Sequence, residues 1–137
     1  MRRVARHPKG HIRDCGILHH LLKIPDLDSL LTHPVMGRSW EAMVVEEIIR
    51  ALSCLGAPFE SYHYRTAGGH EIDLLLEGDF GLIPIEIKHA QTVSRQSLQG
   101  LRLFVEEPQC RFGIVVNNDV STRLYDDRLV GVPFTAL

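Results

Sequence analysis

The residues best suited to do chemistry stand in two short apolar runs, Glu71-Ile72-Asp73-Leu74 and Pro84-Ile85-Glu86-Ile87-Lys88. If both runs are strands joined by a tight turn, Asp73 comes beside Glu86 and Lys88. Two neighbouring carboxylates repel unless a proton or a cation stands between them. Oxygen-only ligation by such a pair, completed by water, suits Mg²⁺ or Mn²⁺. A lysine two residues beyond the second carboxylate could position the attacking water of a hydrolysis or help to deprotonate it. The same three residue types also occur as the wetted face of a half-covered sheet, so this pattern alone leaves both readings open.

A fourth residue narrows the choice. Residues 38–55 carry helical periodicity, with Gly56 as a C-terminal stop. With Glu41 at the origin of a helical wheel, Val44, Val45, Ile48, Leu52 and Leu55 all fall within about 60° of it. Glu46, Arg50 and Ser53 fall on the far side. Glu41 therefore sits inside the apolar stripe, where a carboxylate is costly unless something satisfies it. Trp40, its neighbour, reads as core. If this stripe packs on the sheet, three carboxylates and one lysine converge.

The elements that must hold these residues can be read in order. Asp14 caps a short helix through Ile17, Leu18, Leu21 and Leu22, which Pro25 stops. A second short apolar piece, 27–31, ends before His33-Pro34. After the long helix come three strand-like runs, 59–65, 70–77 and 82–88. Ala67-Gly68-Gly69 turns the chain between the first two, and Gly78-Asp79-Phe80-Gly81 makes a hairpin between the second and third. Alternation puts Ile72, Leu74 and Leu76 on one face, and sets Ile85 and Ile87 against Glu86 and Lys88. A helix over 94–106 turns Leu98, Leu101, Phe104 and Val105 inward, and Pro108 ends it. The apolar run 111–116 then reads as a buried strand after a crossover, parallel to its neighbour. Residues 129–134 add one more strand. Arg65 near the first turn is read as a pair with Glu71, and Tyr62 and Tyr64 as packing residues on one strand face.

At 137 residues, 45% hydrophobic and 23% charged, the chain is one ordinary globular domain. No apolar run approaches a membrane span, so the chain is read as cytoplasmic. Cys15, Cys54 and Cys110 fit neither a disulfide framework nor a zinc spacing. The eight histidines fall in no ligand spacing, and the adjacent His19 and His20 are badly placed to share an ion on a helix. Net charge is −2, so no global basic field draws in nucleic acid. Residues 1–13 nonetheless hold Arg2, Arg3, Arg6, Lys9 and Arg13 and no acid, leaving −7 on the remainder. That segment reads either as an arm for phosphates or as a remnant of a linker, with residues 14–137 forming the domain.

A helix Glu, a strand Asp and a Glu-x-Lys on the next strand resemble the PD-(D/E)XK nuclease superfamily. Gly37-Arg38-Ser39-Trp40-Glu41 resembles the Gly-x-x-x-Glu helix element of the archaeal Holliday-junction resolvases in that group. A closer resemblance is to the domain of unknown function 4143, which usually follows an AAA+ ATPase module. It is carried by Arg13-Asp14-Cys15-Gly16-Ile17-Leu18, His33-Pro34, Gly37, Trp40-Glu41 and Tyr64-Arg65-Thr66. Glu71-Ile72-Asp73-Leu74, Pro84-Ile85-Glu86-Ile87-Lys88, Gly100-Leu101 and Phe104 continue it.

The resemblance implies a restriction-endonuclease-like α/β fold: a three-layer core whose central mixed sheet carries an antiparallel meander between flanking helices. It implies a metal-dependent hydrolase of nucleic-acid phosphodiesters, with DNA favoured over RNA. Asp73, Glu86 and the Ile87 carbonyl would hold Mg²⁺ or Mn²⁺, Glu41 would bind it through water or complete a second site, and Lys88 would serve the attacking water. Gln96 or Gln99 would match a polar helix residue of some members. Resolvase-like relatives further imply a homodimer with two sites for paired cuts. No G-x-x-x-x-G-K-[ST] occurs, so the ATPase module is absent from this chain. The competing expectation is a non-catalytic accessory domain of an ATPase that binds nucleic acid or protein, with Asp73, Glu86 and Lys88 as a structural network.

Overall fold

The computed structural model describes residues 10, 12–65 and 69–137. Residues 1–9 and 11 of the basic arm, and the Ala67-Gly68 part of the first turn, lie outside the described residues. Two short helices come first. Helix α1, Cys15–Leu21, is capped by Asp14, whose carboxylate accepts the Ile17 amide at 2.9 Å. Helix α2, Leu27–Thr32, is capped by Asp26, which accepts the Ser29 amide at 2.8 Å. Neither helix buries a residue.

Helix α3, Met36–Cys54, begins two residues before the expected start and buries Ser39, Ala42, Val44, Val45 and Ile48. Gly56, at φ +67°, takes the left-handed conformation of the anticipated stop. Leu55 departs from the expected stripe. It is the helix's C-cap, just past the last helical residue, and stands 79% exposed.

Among the described residues the sheet has six strands in the order β1-β2-β3-β4-β6-β5. Strands β1 (Phe59–Arg65), β2 (Glu71–Gly78) and β3 (Gly81–Ile87) form the antiparallel meander. Gly78 pairs with Gly81 across the two-residue loop, and Gly81 sits at φ +91°, a conformation that favours glycine. A 3₁₀ turn, Gln96–Leu98, leads into helix α4, Gln99–Val105, where a single helix over 94–106 was expected. The Ser94 hydroxyl accepts the Ser97 amide at 3.2 Å and so starts the turn locally. Leu98, Leu101 and Val105 are buried, as their spacing implied.

Strand β4 (Gly113–Asn117) lies parallel to β3, and β6 (Leu129–Pro133) parallel to β4. Strand β5 (Arg123–Asp126), unanticipated, pairs antiparallel with β6 at the sheet edge. Its Arg-Leu-Tyr-Asp sequence is exposed at its first two positions and half-buried at the others, so no apolar alternation announces it.

The two faces of the sheet carry separate cores, giving three layers. Helix α4 covers Ile72, Leu75, Val115 and Leu129. Helix α3 covers Leu74, Leu76, Ile85, Ile87 and Val116. Ile72 is therefore not on the face of Leu74 and Leu76, as simple alternation required. Between the pairs Tyr62↔Leu75 and Tyr64↔Ile72, β1 advances two residues while β2 advances three. The extra residue is a bulge in β2, and it switches the face on which Ile72 lies.

Candidate active site

The bulge falls at Asp73, where β2 and β3 stop pairing. Their ladder ends at Leu74↔Ile85, and β3 continues by pairing its other edge with β4. The Asp73 side chain bridges the opening: its Oδ2 accepts the Ile87 amide at 2.8 Å. A backbone donor that the ladder has abandoned is thus satisfied by a carboxylate.

Glu86 points to the opposite face from Ile85 and Ile87, as the alternation required, and is 8% exposed. Its Oε1 accepts Lys88 Nζ at 2.6 Å. Its Oε2 is buried with no hydrogen-bond partner. Burial raises the Glu86 carboxyl, the Asp73 charge raises it further and Glu41 adds to this. Lys88 pulls the other way, and the balance stands at about 7. For Lys88, burial lowers the affinity for its proton. The Glu86 hydrogen bond and charge, with Asp73 and Glu41, outweigh burial and leave the ammonium above its ordinary value.

Glu41 reaches the same place from α3. Glu41, Asp73, Glu86, Ile87 and Lys88 all line one open cavity of about 730 Å³. The four side chains singled out in the sequence therefore share one chamber. Gln96 and Gln99 both line it from the α4 side. Arg65 pairs with Glu71 at 2.9 Å, and both belong to the wall.

Sequence reasoning missed His70, Ser97 and Gly100, which also line the cavity. A Cβ on Gly100 would stand 3.4 Å from His70 Cβ, an ordinary contact, so α4 lies close to the start of β2 here without needing glycine. No periodicity marks these positions, and only the glycine within a helical pattern hints at a close approach.

Among the described residues, no group of three or more His, Cys, Asp or Glu side chains is gathered closely enough to cage an ion. One oxygen of Glu86 is engaged with Lys88 and one of Asp73 with the Ile87 amide. The donors nevertheless fit a divalent cation. They are hard oxygens, they repel one another, and Glu86 Oε2 is a buried acceptor awaiting a donor or a charge. Outside the cavity, Trp40 packs on Phe134 with ring centroids 4.9 Å apart, and Tyr64 on Phe104 at the same separation. No helix among the described residues is long and apolar enough to cross a membrane.

An α/β domain with acidic residues and a lysine gathered at a splayed strand pair defines the class. Residues 36–137 match the domain of unknown function DUF4143, and the chain belongs to that family. It is 37% identical over 134 residues to the uncharacterized protein Rv2008c of Mycobacterium tuberculosis, and equally to the uncharacterized protein Mb2031c of Mycobacterium bovis. Each match covers 96% of this chain but 29% of the relative's length. No solved structure matches the chain.

Proposed function

We propose that this domain is a metal-dependent hydrolase of nucleic-acid phosphodiesters of the PD-(D/E)XK type, with DNA as the favoured substrate. The observation that carries the reading is Glu86: a buried carboxyl with one unpartnered oxygen, set beside Asp73, Glu41 and Lys88 in an open cavity. Asp73, Glu86 and the Ile87 carbonyl would hold Mg²⁺ or Mn²⁺, with Glu41 as a further acidic group. A bound cation supplies Lewis-acid charge against the negative charge that develops on the phosphoryl oxygens.

The chain's own residues do the remaining work. The neighbouring carboxylates raise the affinity of Lys88 for its proton, which suits an ammonium that orients the attacking water and stabilises the phosphoryl charge. Its hydrogen bond to Glu86 fixes where that charge sits. Asp73 holds the β2–β3 opening in shape through the Ile87 amide. In the longer relatives, the remaining length has room for the ATPase module that the resemblance implies. Paired cutting would require a homodimer with two such sites.

A second reading is favoured by one feature. The Lys88–Glu86 pair and the Asp73–Ile87 bond lie side by side and engage all four groups, with Glu86 Oε2 left without a hydrogen bond. On that reading the domain is a non-catalytic accessory module that binds nucleic acid or protein.

Calorimetric titration of the chain with Mn²⁺ and Mg²⁺ separates the two. The nuclease reading expects millimolar or tighter binding that disappears in Asp73→Ala/Glu86→Ala, and divalent-dependent cleavage of DNA that Lys88→Ala abolishes. A folded wild-type chain that neither binds the ions nor cuts DNA in their presence refutes it and leaves the accessory module.

A further inference from the structure

Glu41 comes to the cavity from a helix whose start is poorly secured by its own sequence. The N-cap of α3, Val35, offers no side-chain bond. Its first turn contains Gly37, with open space where a side chain would stand. The His33 carbonyl and ring hold the Met36 and Val35 amides at 2.9 and 3.1 Å, but without a side-chain cap from Val35 and with glycine inside it the turn itself tends to fray.

Helix α1 supplies the missing hold. His19 Nε2 and Ser39 Oγ share a hydrogen bond of 2.7 Å. Cys15 Sγ donates to the Ser39 carbonyl at 3.4 Å. Ser39 is 3% exposed, and its amide closes the first helical bond of α3, to the Val35 carbonyl at 2.9 Å. Further along, the Arg13 guanidinium forks onto both carboxylate oxygens of Glu46, at 2.8 and 2.9 Å. Helix α1 buries no residue, and Ile17 and Leu21 are exposed. Leu18 is half-buried, so apolar burial of α1 is slight and the polar contacts to α3 do much to set where it lies.

Ser39 and Glu41 are two positions apart, or about 200° around the helix. A grip on Ser39 from one side thus fixes the rotation that turns Glu41 toward the other. We propose that His19 is a positioning residue: by pinning Ser39 it locks the first turn of α3 and aims Glu41 into the cavity. The consequence for cation binding rests on the function proposed above, whereas the pinning of the first turn does not.

The test compares the wild-type chain with His19→Ala, Ser39→Ala and His19→Gln, the last keeping a polar nitrogen or oxygen at the reach of Nε2. Hydrogen exchange is read across residues 37–42, and Mn²⁺ affinity by calorimetry, each also in a Glu41→Ala background. Loss of the bond should speed exchange in this segment roughly tenfold in His19→Ala and Ser39→Ala. Mn²⁺ affinity should fall as far as in Glu41→Ala, with no further fall in the double variant, and His19→Gln should restore both. Unchanged exchange in His19→Ala and Ser39→Ala overturns the pinning. Faster exchange with undiminished Mn²⁺ affinity, where Glu41→Ala does lower it, overturns the aiming of Glu41. If the wild-type chain neither binds Mn²⁺ nor cuts DNA in its presence, the function proposed above fails, and the pinning stands or falls on exchange and its rescue by His19→Gln.

Discussion

Glu86 makes the stability of this domain depend on pH in an unusual direction. Its carboxyl moves from 4.5 in a free chain to about 7 in the fold, chiefly because burial disfavours the charge and then because Asp73 repels it. The folded state therefore holds a proton that the unfolded chain releases between pH 4.5 and about 7. The stability tied to that proton is fully present below 4.5 and lost as pH rises through about 7. A displacement of this size corresponds to about 3 kcal/mol, an upper figure for a group whose environment can relax. Most carboxylates act the other way, so the total stability of the wild type is a poor readout. The comparison with Glu86→Gln isolates the effect, because the amide resembles the protonated acid and cannot ionise.

Denaturant unfolding of both chains at about pH 5 and about pH 8.5 is the assay. Near pH 5 the two should differ by less than about 1 kcal/mol, since the wild-type acid is then largely protonated. Near pH 8.5 the Gln variant should be the more stable by about 2–3 kcal/mol. Millimolar Mn²⁺ at the higher pH should close the gap by stabilising the wild type alone. A gap that stays constant with pH, or a Gln variant that is less stable near pH 8.5, refutes the reasoning. Either result would mean that the Lys88 contact at 2.6 Å more than offsets burial and the Asp73 charge.

Lys88→Met should destabilise the chain by about 3 kcal/mol near pH 8.5 and by much less near pH 5, because it strips an ionised buried carboxylate of its partner; the same unfolding curves report it. Asp73→Ala leaves the Ile87 amide without its acceptor at a cost of about 1–3 kcal/mol, partly offset by relief of Glu86, and faster exchange of that amide is the direct check. Gly113→Ala should cost about 1–3 kcal/mol, since the new methyl would meet Leu129 at 2.9 Å, Val105 at 3.0 Å and Leu101 at 3.2 Å. Gly100→Ala meets nothing nearer than His70 Cβ at 3.4 Å and should stabilise the chain through helix propensity by up to about 1 kcal/mol, read as a higher melting temperature.

The sequence exposed the parts of this fold that obey a period or break one. The hairpin at 78–81, the Asp14 cap and the Gly56 stop each follow from a residue whose conformational preference is strong and local. Glu41 was visible because it interrupts an apolar stripe, and the structure brings it to the cavity with Asp73, Glu86 and Lys88. What escaped notice has no local signature. Strand β5 exists because β6 offers it an edge, and His70 and Ser97 join the cavity only through the way α4 meets β2.

The bulge in β2 is the instructive case, because strict alternation gave the right neighbours for Asp73 by an incomplete argument. Alternation alone would leave Ile72 under α3, away from Leu75 and α4. One added residue places Ile72 under α4 and Leu74 under α3 at once, so both cores are filled across a single position. The residue between them, Asp73, then stands where the ladder with β3 has ended and bonds the Ile87 amide through its side chain. The interruption that lets one strand serve two cores is the same interruption that turns a carboxylate from a sheet face toward a neighbouring backbone. Packing and site geometry are therefore not independent here: restoring regular alternation at Asp73 would have to remove either Ile72 or Leu74 from its core.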